Sequence, residues 1–141
     1  MKGKVFILFL ILCFSGISVF GKSKLPYMID AEMEIDDCAQ YQIAGLNFNF
    51  WNKGKSKVRE FTMVFCMYDE DGNPLALGKS NVVINVHALI DSGEFYEGTV
   101  SLDRFLLEMP EEPYQIDYLY VSRIVYDDDS VWTDPFGLQA F

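Results

Sequence analysis

Ile29-Asp30-Ala31-Glu32-Met33-Glu34-Ile35-Asp36 alternates apolar and acidic side chains without a break. A period of two is the signature of a strand with one face on a core and the other in water. The same period recurs downstream. In Gln42 to Trp51, Ala44, Leu46, Phe48 and Phe50 share one face, and Asn47 and Asn49 share the other. Asn52-Lys53-Gly54-Lys55-Ser56 is a polar turn, so this second strand is expected to return as a third in a hairpin. In that third strand, Val58 to Tyr68, Phe61, Met63, Phe65 and Met67 point one way. Thr62, Val64, Cys66 and Tyr68 point the other way.

Asp69-Glu70-Asp71-Gly72-Asn73-Pro74 is a dense turn signal. Asn81 to Ile90 gives a further apolar run, ended by Asp91-Ser92-Gly93-Glu94, and Phe95 to Leu102 alternates again. Asp103 to Met109 admits a helical turn, closed by Pro110 and Pro113. Tyr114 to Tyr126 is a long β-rich stretch; Asp127-Asp128-Asp129-Ser130 is its tip, and Val131-Trp132-Thr133 returns. Pro135 ends the pair, because proline removes a ladder donor. About seven short strands with frequent turn signals imply an all-β chain folded as an immunoglobulin-like antiparallel β-sandwich. No Pro/Ser/Gly-rich linker divides it, so residues 22–141 are expected to form a single domain.

The first residues have a different character. Lys2 and Lys4 precede the apolar run Val5 to Phe14, and the small residues Ser15, Gly16, Ser18 and Gly21 follow. A charged start, roughly 7–15 apolar residues and a small-residue exit describe a secretory signal peptide. The run Val5 to Phe20 is shorter than the roughly 20 apolar residues of a membrane-spanning helix, and it is interrupted. Residues 1–21 are therefore expected to be removed and the protein to be secreted or periplasmic, with no membrane insertion of the mature chain. Lipid anchoring through Cys13 is disfavoured, because the bulky Leu12 stands where a lipoprotein signal carries a small residue. All 21 acidic residues lie beyond Gly21, whereas Lys2 and Lys4 are two of the 11 basic ones; the remaining 120 residues would carry a net charge of −12. Such a surface repels nucleic acid and anionic lipid. Half of the residues are hydrophobic and 16% are aromatic, which excludes a disordered acidic tail.

At the third strand, Phe65-Cys66-Met67-Tyr68-Asp69 followed by Glu70-Asp71-Gly72 resembles the motif of the FxLYD-type domain, with Met67 in place of leucine. The segment Phe48-Asn49-Phe50-Trp51-Asn52-Lys53 is similar to the strand and turn before that motif. Asp91-Ser92-Gly93-Glu94 and Asp129-Ser130-Val131-Trp132 resemble its later turn and closing hairpin, with substitutions at Asp91-Ser92 and Asp129. The resemblance runs from Gln42 to Phe136. It implies an exported bacterial protein with an immunoglobulin-like sandwich, and no catalytic residues to carry over.

Few residues invite chemistry. Cys38 and Cys66 are either a disulfide, which export would allow, or two separately buried thiols. His87 is the sole histidine and lies on an apolar strand. Asp69, Asp71 and Asn73 have the first spacings of a calcium loop, but Pro74 and Ser80 stand where an EF-hand needs glycine and glutamate. A looser calcium site shared with Asp127, Asp128 and Asp129 is the alternative to plain turn formation. No motif points to a cofactor, a metal centre or a catalytic set. The surplus is aromatic. Tyr114, Tyr118 and Tyr120 share a face with Ile116 and Ile124, opposite Leu119, Val121 and Val125, and one of these faces is expected to lie under the C-terminal Phe136 to Phe141 segment or a partner. Trp51, Tyr118, Tyr120 and Trp132 are the candidate ligand or partner surface. The function expected is that of an exported, non-catalytic module that binds another envelope or extracellular protein or supports an assembly. The alternative is a carbohydrate- or peptide-binding domain using exposed aromatics.

Overall fold

The computed structural model describes residues 24–35, 41–76, 81–106 and 108–141. The expected signal segment, Cys13 and Cys38 lie outside the described residues. Seven strands follow one another: β1 (Tyr27–Glu34), β2 (Gly45–Asn52), β3 (Val58–Asp69), β4 (Asn81–Ile90), β5 (Phe95–Ser101), β6 (Tyr114–Tyr126) and β7 (Val131–Thr133). Among the described residues, one 3-10 turn, Asp103–Phe105, falls within the Asp103 to Met109 stretch that admits a helical turn. The strands form two antiparallel sheets, β1-β2-β5 and β4-β3-β6-β7. That order is an immunoglobulin-like sandwich whose fourth strand has joined the second sheet.

Between the sheets lie the apolar faces that the alternation marks. Leu46, Phe48 and Phe50 of β2 face Phe61, Met63, Phe65 and Met67 of β3 across the core. Phe50 stacks on Phe61 with ring centroids 4.2 Å apart and planes 14° apart. Here one expectation fails: β2 and β3 are not a hairpin but lie in opposite sheets. Each carries an unbroken apolar face, and two such faces bury most area by meeting across the core rather than side by side. The turn after β2 thus crosses the sandwich, and Asn52 holds it. This fully buried side chain donates to the carbonyls of Ser56 (2.9 Å) and Ile90 (3.0 Å) and accepts from the Gly54 amide (3.0 Å). Its backbone pairs with Gly93 and Glu94, so it also ties down the crossover from β4 to β5.

A second correction concerns β6. Strict alternation puts Val121 and Ile124 on opposite faces, yet both are fully buried against the core. An irregularity in its pairing with β3, between Thr62 and Met63, falls between Val121 and Ile124 and resets the phase, and a further one lies between Val64 and Cys66. Leu119 packs on the core, and Tyr120 stands opposite Val64 on the outer face. The Val121 amide donates to the hydroxyl of Tyr27, which reaches across from β1 (3.1 Å). Tyr27 stacks beside Phe50 and receives the edge of Trp132. A buried amide is costly if unpaired, so Tyr27 stitches the two sheets at the irregular strand.

The chain end folds back over β6, as the aromatic surplus implied. Buried Asp134 accepts from the amides of Leu138 and Gln139 at 3.0 Å each. Tyr120 donates to the Pro135 carbonyl at 3.1 Å, and Phe141 sets its ring edgewise to Tyr118 and Tyr120.

Candidate functional site

In the three-stranded sheet, cross-strand pairing sorts the side chains into rows. Met28, Trp51 and Phe95 are directly opposite one another on β1, β2 and β5. The next outward row is Asp30, Asn49 and Glu97, and the one after that is Glu32, Asn47 and Thr99. Glu34 closes the face on β1. The alternating partners Ile29, Ala31, Phe48 and Phe50 point into the core, so register alone turns these rows to solvent.

The first row is an apolar step. Trp51 and Phe95 stack with centroids 5.1 Å and planes 14° apart. Trp51 Nε1 donates to the Gly93 carbonyl (3.2 Å), which fixes the indole, and Lys53 Nζ sits 5.6 Å from the ring centroid. Phe95 remains 70% exposed and Met28 54% exposed, so the chain itself leaves much of this step uncovered. Beside it, the polar rows form a hydrogen-bonded ladder. Asn49 Nδ2 donates to Asp30 (2.8 Å), Asn47 Nδ2 donates to Glu34 (2.8 Å), and Thr99 donates to Asn47 Oδ1 (2.7 Å). Asp30, Glu32, Asn47, Asn49, Glu97 and Thr99 line an open depression of about 530 Å³ whose floor includes Phe48 and Gly98. Gly98 is required there: a Cβ would come within 2.5 Å of the Phe48 ring.

Asparagine is a poor strand former, and two of them on the solvent face of a central strand cost stability. Their return here is orientation, because each amide aims a carboxylate. An aromatic step continuous with preset amides and carboxylates suits recognition of a flat or extended ligand, by stacking at one end and directed hydrogen bonds along the rest.

The four candidate aromatics do not converge. Trp51 lies on this face. Tyr118 and Tyr120 lie on the outer face of the other sheet, in contact with Phe141. Trp132 pairs with Ile124 and turns its ring to Tyr27 and the core. Phe95 and Met28 are the partners of Trp51 that single-strand reading missed; only the pairing of β1, β2 and β5 reveals them.

The remaining candidates have structural tasks. Cys66 is a free, buried thiol that donates to Asn81 Oδ1 at 3.1 Å. His87 is exposed, and its Nδ1 lies 3.2 Å from Glu60, which also binds Arg123. Asp69 accepts from the Asp71 amide, the Asn73 amide and the Asn73 side chain. The Asn73 amide foremost holds its carboxyl below the usual range. Asp128 accepts from Ser130, and Asp129 pairs with Arg59. The two acidic tips adjoin opposite ends of β6, about 40 Å apart at some 3.3 Å per residue, so they cannot share a cation. The described residues hold no group of three or more His, Cys, Asp or Glu placed to bind a metal.

No family model matches the chain, and no curated protein matches it. A solved crystal structure of a hypothetical protein from Peptoclostridium difficile 630 is similar, with a TM-score of 0.58 and 11% identity. The match covers 79% of this chain and 88% of that one. At that identity the likeness concerns the fold alone.

Proposed function

We propose that the protein is an exported, non-catalytic binding module that engages another envelope or extracellular macromolecule through the outer face of the β1-β2-β5 sheet. One observation carries the reading. Exposed Met28 and Phe95 flank half-buried Trp51 in an apolar row that continues into side chains oriented by Asn47 and Asn49. Export is supported by Lys2 and Lys4, the apolar run and the small-residue exit at Gly21. An FxLYD-type assignment is supported by Phe65 and Met67, which supply core, and by Asp69, which closes the turn after them.

The test is partner recovery with the tagged protein from cells that produce it. Trp51→Ala combined with Phe95→Ser is expected to lower recovery at least about tenfold, as loss of a central aromatic anchor does, without lowering the melting temperature by more than a few degrees. Leu138→Ser, on the other sheet's side, is expected to leave recovery unchanged. Loss with Leu138→Ser and none with the aromatic pair would overturn the reading.

A further inference from the structure

Resting on that reading of the face, we infer that its ligand is an extended, lysine- or arginine-rich polypeptide segment lying along β1, with one apolar residue seated on Trp51 and Phe95. Asp30, Glu32 and Glu34 project outward from alternate positions of β1. Alternate residues of a strand are about 6.8 Å apart, and so are side chains on one side of any extended chain. An alternating cationic segment therefore meets the three carboxylates in register, whereas a strand with random spacing does not.

The carboxylates are oriented without being neutralised. Asn49 and Asn47 hold Asp30 and Glu34 by neutral amide donors, which leave lone pairs and the full charge for a ligand. Of the other acidic groups, Glu60 is paired with Arg123, Asp129 with Arg59, and Asp91 with Lys57. Among the described residues, no ion pair neutralises Asp30, Glu32, Glu34 or Glu97. The cation at this face is Lys53, at its aromatic end. The missing positive charge is what the ligand brings, and a stacked Trp51–Phe95 pair also accepts an arginine guanidinium.

The experiment titrates the purified protein with a fluorescein-labelled peptide of one phenylalanine followed by four Ser-Lys repeats. The Ser-Glu counterpart and a soluble neutral β-glucan are run in parallel. Saturable 1:1 binding of the Ser-Lys peptide is expected, with none of the Ser-Glu peptide and at least about tenfold weakening at 0.5 M salt. Glu32→Lys with Glu34→Lys is expected to weaken binding at least about tenfold, and the Gln pair at the same positions to weaken it in the same direction. Glu70→Lys with Glu111→Lys changes net charge equally and is expected to alter affinity by no more than about twofold. Equal losses in the two Lys pairs would mean diffuse attraction and overturn the inference. Binding of the β-glucan alone, lost on Trp51→Ala, would overturn the cationic ligand yet keep the face as the binding surface. Peptide binding that survives both the Glu32/Glu34 change and Trp51→Ala with Phe95→Ser would overturn both.

Discussion

Replacing Tyr27 by Phe removes one oxygen and leaves the ring that stacks beside Phe50 and meets Trp132. What is lost is the acceptor for the Val121 amide, 3.1 Å away in the opposite sheet. Val121 is fully buried, so water cannot replace the hydroxyl without opening the sandwich. An unpaired buried amide costs about 1–3 kcal/mol, far more than the small gain from burying a less polar ring. For a domain of this size that is a fall in melting temperature of about 4–12 °C. The assay is thermal and urea unfolding followed by circular dichroism at neutral pH, with the m-value checked for constancy. A second arm uses alkali. Burial, first among the causes, raises the Tyr27 pKa above 10.0, so its share of stability is complete below that pH and fades as pH rises through the raised value. The Phe variant is therefore expected to lose less stability between pH 9 and 11 than the parent. A melting temperature within 1 °C of the parent, with an unchanged alkaline slope, would refute the cross-sheet stitch.

Further outcomes follow from other named contacts. Asn52→Ala should cost about 2–4 kcal/mol in urea unfolding, because the Ser56 and Ile90 carbonyls and the Gly54 amide lose their partner at once. Gly98→Ala should cost about 1–3 kcal/mol by forcing the Phe48 ring aside, and pairing it with Phe48→Leu should recover part of that loss. Asp103 accepts from the amides of Gln42, Ile43 and Ala44, with the Gln42 amide foremost in lowering its pKa below 3.8. Its contribution is present above that ordinary value and lost as pH falls below it, so Asp103→Ala should flatten the acid limb of a melting-temperature profile. If export proceeds as proposed, the intact mass of the exported protein should match a chain beginning at Lys22; a lipidated Cys13 or a retained leader would contradict it.

Most strand positions were readable because period-two alternation survives wherever a strand pairs regularly. β4, β6 and β7 begin and end where the runs Asn81 to Ile90, Tyr114 to Tyr126 and Val131 to Thr133 do. Alternation fails where pairing is irregular. In β6 one phase slip, between Arg123 and Val121, separates Val121 from Ile124, so the two end on one side although their spacing assigns them to opposite sides. Turn chemistry also marks a bend without naming its destination. Asn52 to Ser56 looks the same in a hairpin as in a crossover, and the partner that decides, the Ile90 carbonyl, is 38 residues away. The candidate surface is legible only in part for the same reason. Trp51, Asn47 and Asn49 announce themselves on one strand, but Phe95 and Met28 join them through strand order, which no local pattern encodes.

Site-specific photo-crosslinking in the producing cell tests the binding face most directly. A photoreactive phenylalanine analogue placed at Phe95 should give a discrete higher-mass adduct, abolished by Trp51→Ala, while the same analogue at Leu138 gives none. Adducts at Leu138 and none at Phe95 would contradict the assignment of the β1-β2-β5 face as the surface through which this protein acts.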